Sequence, residues 1–274
     1  MKSFGIAFFA VFALAASGIA QYKLEYKASG SIPLHYKAHA TVEVVQTTMG
    51  QEQKINMVMD QYFSMAGKEA GSDELLFSTI IDSGESLVIM PTGDTNRISS
   101  PAVGKVKETR IRPNGEQLSS RWVDTVFASS QAAQVRDFGA LFFKLPSSRI
   151  DTGATWTQDR IDTVGTPGAQ GKIVVTTNMN YKLVGRNVID GVTCARIQFE
   201  GKVALKGITS NQGMSFGIDG SGTNDGTALF DYSAGKMMKI TGSSNQEIVM
   251  ASTGENSMTI PVTQKTNYEI SYSK

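Results

Sequence analysis

The sequence predicts a mainly β fold, in which long antiparallel hairpins form a curved sheet or open half-barrel with one amphipathic helix. The main observation is strict alternation of apolar and polar residues, which is typical of strands with one buried face. Turn dipeptides of the hairpin type separate several of the alternating segments. One stretch, near residue 135, changes instead to the spacing of a helix.

The clearest hairpin is predicted at residues 36–65. One face of its first strand carries alternating apolar residues: Tyr36, Ala38, Ala40, Val42 and Val44. After a turn around Gly50, the returning strand has an apolar face of the same kind: Ile55, Met57, Met59, Phe63 and Met65. Two such faces on adjacent strands can be buried together, which makes this pair the nucleus of the predicted sheet.

Further strands are predicted after this hairpin, in both halves of the chain. The first half adds strands at 75–81, 85–90, 106–111 and 117–123, with a tight turn at Asn114-Gly115. The second half has strands at 173–183 and 195–205, joined by the tight turn Asp190-Gly191. A glycine-rich piece at 213–226 leads to strands at 229–232, from 236, and at 258–272, the last of which Pro261 assigns to a sheet edge.

A helix-and-loop segment at 126–171 separates two strand-rich halves, at about 21–125 and 172–274. Ser129 or Ser130 would cap the helix, and Pro146 would end it. Its stripe consists of apolar residues at helical spacing: Ala132, Val135, Phe138, Leu141 and Phe142. A lone helix of this length is marginal in water, so we expect it to pack on the concave face of the sheet. The helix-packing surface, or apolar ligand surface where the face stays open, would comprise five residues: Val135, Phe138, Leu141, Phe142 and Trp156.

Residues 1–20 have the three parts of a secretory signal peptide: a positive end at Lys2, an apolar run and small residues before a cut after Ala20. The run is shorter than the about 20 residues of a membrane helix, so no transmembrane segment is expected after cleavage. The mature region, 21–274, is therefore predicted to be periplasmic or secreted. A single cysteine, Cys194, excludes an internal disulfide. The net charge of +1 argues against a nucleic-acid partner.

Several motifs suggest chemistry but lack the context that the chemistry needs. Residues 213–217 (GMSFG) match a nucleophile elbow around Ser215, which requires a following helix and a histidine later in the chain. His35 and His39 are the only histidines, and both precede the serine. Alternating oxygens from Asp219 to Asp225 resemble a calcium loop, but the glycine and glutamate of such loops are missing. We therefore expect no catalytic, cofactor or metal site.

Three groups of short motifs resemble a family of exported bacterial proteins of unknown function. They lie at 26–30 with Tyr36 and 45–51, at 145–146 with 153–156, and at 181–185 with 188–194. This resemblance implies export and no particular activity. More distantly, long hairpins curling around a helix resemble the half-barrels of periplasmic lipoprotein carriers, which hold acyl chains in an apolar concavity. That resemblance implies a lipid or other apolar ligand.

Three hypotheses of function follow from these observations. The first is an exported cell-envelope protein that binds an apolar or lipid-like ligand and is not an enzyme. The second is a structural or protein-interaction β module that uses exposed strand edges to bind an envelope protein. The third, which the sequence favours least, is a secreted hydrolase built on Ser215 or on scattered carboxylates.

Overall fold

A single antiparallel sheet contains all the strands of the structure, a computed structural model that describes residues 21–30, 32–48, 50–128, 141–164, 170–211, 214–252 and 257–273. In chain order the elements are β1 (Leu34–Thr48), β2 (Gln51–Gly71), β3 (Glu74–Ile89), β4 (Thr95–Ser99), β5 (Val106–Ile111), β6 (Gln117–Trp122), α1 (Thr125–Ala128), β7 (Thr155–Val164), β8 (Gln170–Ile189), β9 (Val192–Asn211), β10 (Met214–Asp231), β11 (Lys236–Ser252) and β12 (Thr259–Ser273). The order across the sheet is β6-β5-β3-β2-β1-β12-β11-β10-β9-β8-β7, with β4 paired to β3. The sheet curls into a half-barrel, which confirms the predicted mainly β class.

The two strand-rich halves meet in the middle of this sheet, where β1 pairs with β12. The pairing runs from His35 opposite Ser273 to Gln46 opposite Val262. The apolar residues of the two strands face the same side, because opposite residues in an antiparallel pair share a face. The halves therefore build one sheet with one concave face.

The predicted turns lie at the expected places, and Asp190-Gly191 has the two-residue form, whereas the connection at Asn114-Gly115 is longer. Asp190 and Gly191 have φ values of 51° and 78°, the positive pair that a two-residue hairpin turn requires. Gly115, with a φ of 82°, lies in the connection between β5 and β6. Gly50, with a φ of 76°, lies between β1 and β2. Glycine adopts this backbone without steric cost, which explains its place at these turns.

Several strand predictions need correction. The strands predicted at 75–81 and 85–90 form one strand, β3, because a bulge that leaves Asp82 unpaired absorbs the irregularity. The predicted loop at 146–171 contains β7, and residues 214–226 of the glycine-rich piece belong to β10. Pro261 lies on a central strand rather than an edge. It pairs with Val249 of β11, just beyond the last residue of β12 that pairs with β1, so its missing N–H breaks no bond there.

The predicted amphipathic helix is not found among the described residues. Ala132, Val135 and Phe138, which form most of its stripe, lie outside them. Leu141 and Phe142 are described, and they lie in an irregular segment rather than a helix. The described helix, α1, is a single turn, and no helix of the described chain is long and apolar enough to cross a membrane.

Two irregular segments, 22–28 and 141–145, lie against one end of the concave face and form what we call the floor. The Tyr26 hydroxyl donates to the carbonyl oxygen of Leu141 at 3.1 Å and accepts from the Phe143 amide at 3.2 Å. The amide of Leu145 donates to the Asn114 carbonyl at 2.7 Å. These bonds explain why Leu141 and Phe142 are not helical: side chains and neighbouring loops satisfy the backbone groups instead. The floor residues join the inward-facing strand residues in one buried core.

Candidate ligand-binding concavity

A concavity of about 990 Å³ lies between the floor and the curled sheet. Strands from one edge of the sheet to the other line it. Its volume is at the upper end of the range for small-molecule sites. A second cavity, inside the floor beside Tyr36 and Phe77, has only about 10 Å³, the space of one water. The floor is thus packed, and the concavity above it offers room for a ligand.

Aromatic and aliphatic side chains form the base of the concavity: Phe63, Phe142, Phe143, Tyr181, Phe199 and Ile270. Phe143 stacks on Tyr181 with ring centroids 5.0 Å apart and an interplanar angle of 13°. Trp156 also stacks on Tyr181, at 5.6 Å and 11°, and its Nε1 donates to the Lys144 carbonyl at 2.7 Å. Stacked rings of this kind hold each other in position, so the base is a preformed apolar surface.

The residues predicted as a packing or ligand surface have different positions. Leu141 and Phe142 line the concavity and are buried. Val135 and Phe138 lie outside the described residues. Trp156 is partly buried against the core and has the expected aromatic neighbour and hydrogen-bond acceptor.

Sequence reasoning missed five of the six residues of the base: Phe63, Phe143, Tyr181, Phe199 and Ile270. Phe143, next to the predicted stripe, has no helical spacing that would single it out. Tyr181 and Phe199 were recognised as apolar positions of strands, and their register, which places them opposite each other, identifies them as parts of one site. That register was not readable from the sequence.

One side of the concavity is polar. We call it the polar wall, formed by β10, β11 and β12 through six residues: Asn224, Ser244, Gln246, Gln264, Thr266 and Tyr268. The register makes these residues neighbours, since Ser244 lies opposite both Asn224 and Thr266, and Gln246 lies opposite Gln264. The patch is therefore continuous across three strands.

Few hydrogen bonds within the polar wall are formed by the protein itself. Gln246 Nε2 donates to Ser244 Oγ and Gln264 Nε2 donates to Thr266 Oγ1, each at 3.3 Å. The Tyr268 hydroxyl donates to Asn224 Oδ1 at 3.1 Å. An amide side chain can donate two bonds and accept at its carbonyl oxygen, so the wall retains hydrogen-bonding capacity.

Glycines shape the strands behind the polar wall. A Cβ at Gly226 would overlap the carbonyl oxygen of Thr241 and the ring of Phe199. A Cβ at Gly242 would lie 2.5 Å from the hydroxyl oxygen of Tyr268. The rings of Phe199 and Tyr268 thus lie against glycine residues of the neighbouring strands, which have no side chain. Such an arrangement helps a sheet bend. The glycine-rich segment is a strand because it must approach its neighbours closely.

The described charged residues that line the concavity lie on the two outermost strands at each side of the sheet: Lys107, Arg121, Arg160, Asp162 and Lys172. Arg160 Nε and Asp162 Oδ2 form an ion pair at 2.7 Å. The described lining residues of β1, β2, β3 and β9 to β12 are uncharged. Burial raises the pKa of Tyr181 above its ordinary range, so its hydroxyl stays neutral as well. The base and the polar wall form a neutral surface.

The serine and histidine motifs lie elsewhere, on the convex face. Ser215 is exposed near the start of β10, with its Oγ 2.8 Å from the Oγ of Ser210 on β9, so the elbow pattern lies on antiparallel strands instead of a strand–turn–helix. His35 Nδ1 lies 2.9 Å from Ser64 Oγ, which donates to Asp82 at 2.5 Å. Because the Ser64 hydroxyl donates to Asp82, His35 is not placed as a general base for Ser64.

The residues of the calcium-like pattern do not come together around one point in the structure. Asp219 and Asp225 lie along the extended strand β10, where alternate residues are about 6.6 Å apart and cannot wrap a calcium ion. Within the described residues, no group of three or more histidine, cysteine, aspartate or glutamate side chains could hold a metal. Cys194 is buried beside Leu229 and Met238, and burial raises the pKa of its thiol to about 11.

The comparisons with known proteins assign no family. No family model matches the chain, and no curated protein matches it. Among solved structures, the chain is similar to OmpF of Salmonella typhi in complex with daunomycin, with 9% sequence identity, over 86% of this chain and 97% of that chain, at a TM-score of 0.25. A similarity of this size supports no inference about function. The resemblance to exported proteins of unknown function therefore stays a prediction.

Proposed function

We propose that this chain is an exported cell-envelope protein, periplasmic or secreted, that binds an apolar or lipid-like ligand in its concavity and catalyses no reaction. The observation that carries the proposal is the concavity of about 990 Å³ with its preformed aromatic base. The signal-like residues 1–20 and the motifs that resemble those of exported proteins support the location. The convex placement of Ser215 and the histidines supports the non-enzymatic assignment.

The energetics favour a ligand with a long apolar portion. Each methylene that leaves water contributes about 0.8 kcal/mol, and association itself costs at least about 4 kcal/mol. A short ligand would not offset that cost, whereas an acyl chain of ten or so carbons on the Phe142, Phe143 and Tyr181 surface would.

The unpaired edges of the described sheet, β6 and β7, support the second hypothesis, binding to an envelope protein through a strand edge. The observation that weakens it is the ion pair of Arg160 and Asp162, which lies on the concave face of β7. Charged side chains that point inward on an edge strand hinder pairing with a further strand. We therefore place ligand binding first.

The test begins with protein purified from its native host, extracted with organic solvent and analysed by mass spectrometry. We expect a bound amphiphile at about one molecule per chain and a mature N-terminus at Gln21. A bulky Ser244→Trp substitution, which narrows the concavity at the polar wall, should reduce the amount of bound amphiphile. The matched control is Asn245→Trp on the convex face next to it, which should retain the amphiphile.

Circular dichroism would first establish that both variants keep the β-sheet. An empty native protein that also fails to bind added amphiphiles would contradict the proposal. Equal retention of the ligand by both variants would place it outside the concavity.

A further inference from the structure

We infer that the polar end of the ligand is uncharged and multiply hydroxylated, and that it binds to the polar wall of β10, β11 and β12. The inference rests on the proposed function and adds the chemistry of the headgroup. It is carried by three features of the described residues: the composition of the wall, its spare hydrogen-bonding capacity and the position of the charged groups.

The wall offers amides and hydroxyls on a continuous surface. Its rows follow the strand register, with Ser244 between Asn224 and Thr266 in one row and Gln246 beside Gln264 in the next. All these side chains are uncharged, so they provide no counter-ion for an ionic headgroup. Neutral donors and acceptors in a fixed array match a neutral partner that donates and accepts in turn.

The two glutamines show the spare capacity most clearly. Each uses Nε2 to donate one bond, Gln246 to Ser244 and Gln264 to Thr266. Neither Oε1 carbonyl accepts a hydrogen bond from another described residue. Gln246 is only 8% exposed, which leaves little contact with solvent. A hydroxyl group can donate to such a carbonyl and accept from the remaining N–H, so a polyol suits both glutamines.

The charged groups argue against an ionic headgroup on this wall. Among the described residues, the cations that line the concavity belong to β5, β6, β7 and β8, the strands nearest the edges of the sheet. Of these, Arg160 is already paired with Asp162 at 2.7 Å. An anionic headgroup bound at the wall would leave bulk water without a cation beside it, which is costly in a partly buried site.

The test compares three amphiphiles with the same dodecyl chain, titrated below their micelle concentrations into delipidated mature protein by calorimetry. Dodecyl maltoside has an uncharged, hydroxylated headgroup, dodecanoate is anionic, and dodecyltrimethylammonium is cationic. We expect dodecyl maltoside to bind at least about tenfold more tightly than either ion, because two or three additional hydrogen bonds form. Equal or tighter binding of an ion would overturn the headgroup inference and leave the proposed function standing. Failure of all three to bind would count against the proposed function itself.

Substitutions in the polar wall test whether the headgroup binds there. Replacing both glutamines, by Gln246→Leu with Gln264→Leu, should weaken maltoside binding about tenfold and leave dodecanoate binding unchanged. Asn245→Leu, on the convex face between two wall positions, is the matched control and should change neither. Thr266→Val, which keeps the side-chain shape, provides a second test if the double variant does not fold. Full maltoside preference in the folded variants would show that the headgroup binds elsewhere.

Discussion

The same long strands pack on the floor at one end and form the polar wall further along, and the two parts differ in what faces inward. On β10, Ala228 and Phe230 are fully buried at the floor. A few residues earlier, the same face of the same strand carries Gly222, Asn224 and Gly226 beside the concavity. The inward face of β10 is thus packed at one end and open further along, because among the described residues only its floor end is covered.

The hydrogen bonds show the same difference. At the floor, the Tyr26 hydroxyl both donates and accepts, and its ring meets those of Phe142 and Phe230 edge-on, each at 5.2 Å. At the wall, each glutamine donates a single bond. The floor is satisfied internally and contributes stability, whereas the wall keeps polar groups available for a partner. Substitutions can separate these two roles.

The largest expected effect is at the floor. Phe230→Ala should lower the free energy of unfolding by about 3–5 kcal/mol, because it leaves a cavity among fully buried rings. Thr266→Ala at the wall should cost no more than about 1 kcal/mol, since it removes one neutral hydrogen bond. Urea unfolding followed by circular dichroism measures both. Equal losses would mean that the floor and wall do not differ in their contribution to stability.

Alkaline pH should weaken the floor next. Burial raises the pKa of Tyr26, Tyr36 and Tyr181 above the usual value of about 10, and desolvation is the main cause in each. Because the folded pKa lies above the unfolded one, their contribution is complete below about pH 10 and is lost as pH rises further. At pH 11 the loss is on the order of 1 kcal/mol for each tyrosine.

Ultraviolet absorbance of phenolate measures this behaviour directly. We expect three of the eight tyrosines to ionise only when the protein unfolds. Ionisation of all eight in the folded protein, with an unchanged circular dichroism spectrum, would show that the floor admits water.

A smaller loss of stability is expected when a glycine of β10 is substituted. Gly226→Ala should cost about 1–3 kcal/mol, since its Cβ overlaps backbone and the Phe199 ring. Gly217→Ala on the same strand is the control, because the nearest atom to its Cβ is the Ala251 carbonyl oxygen at 3.7 Å, an ordinary contact. Thermal unfolding of the two variants should therefore differ. Matching melting temperatures would mean that close strand approach does not require glycine at 226.

The fold was predictable where one face of a strand is apolar. The hairpin of β1 and β2 has that pattern, as do β8 and β9. β7 was missed because its inward residues include Gln158, Arg160 and Asp162, which face the open part of the concavity. A strand that is polar on both faces gives no alternation signal.

The site was less predictable for a related reason. Glycine usually signals a turn, so β10 reads as a loop until the close approach of its neighbours is known. The polar wall takes its residues from three strands, and none of them is unusual alone. Only the register places Gln246 beside Gln264, and register depends on tertiary pairing that local sequence does not specify.

The seam between β1 and β12 has a consequence for how the chain reaches its folded state. It joins His35 to Ser273, so the loop that must close spans nearly the whole described chain, and its closure costs more conformational entropy than any neighbouring hairpin. Until β12 arrives, β1 and β11 are both open edges, which are templates for pairing between molecules. Solubility before this pairing forms therefore depends on how soon β12 reaches β1 and β11.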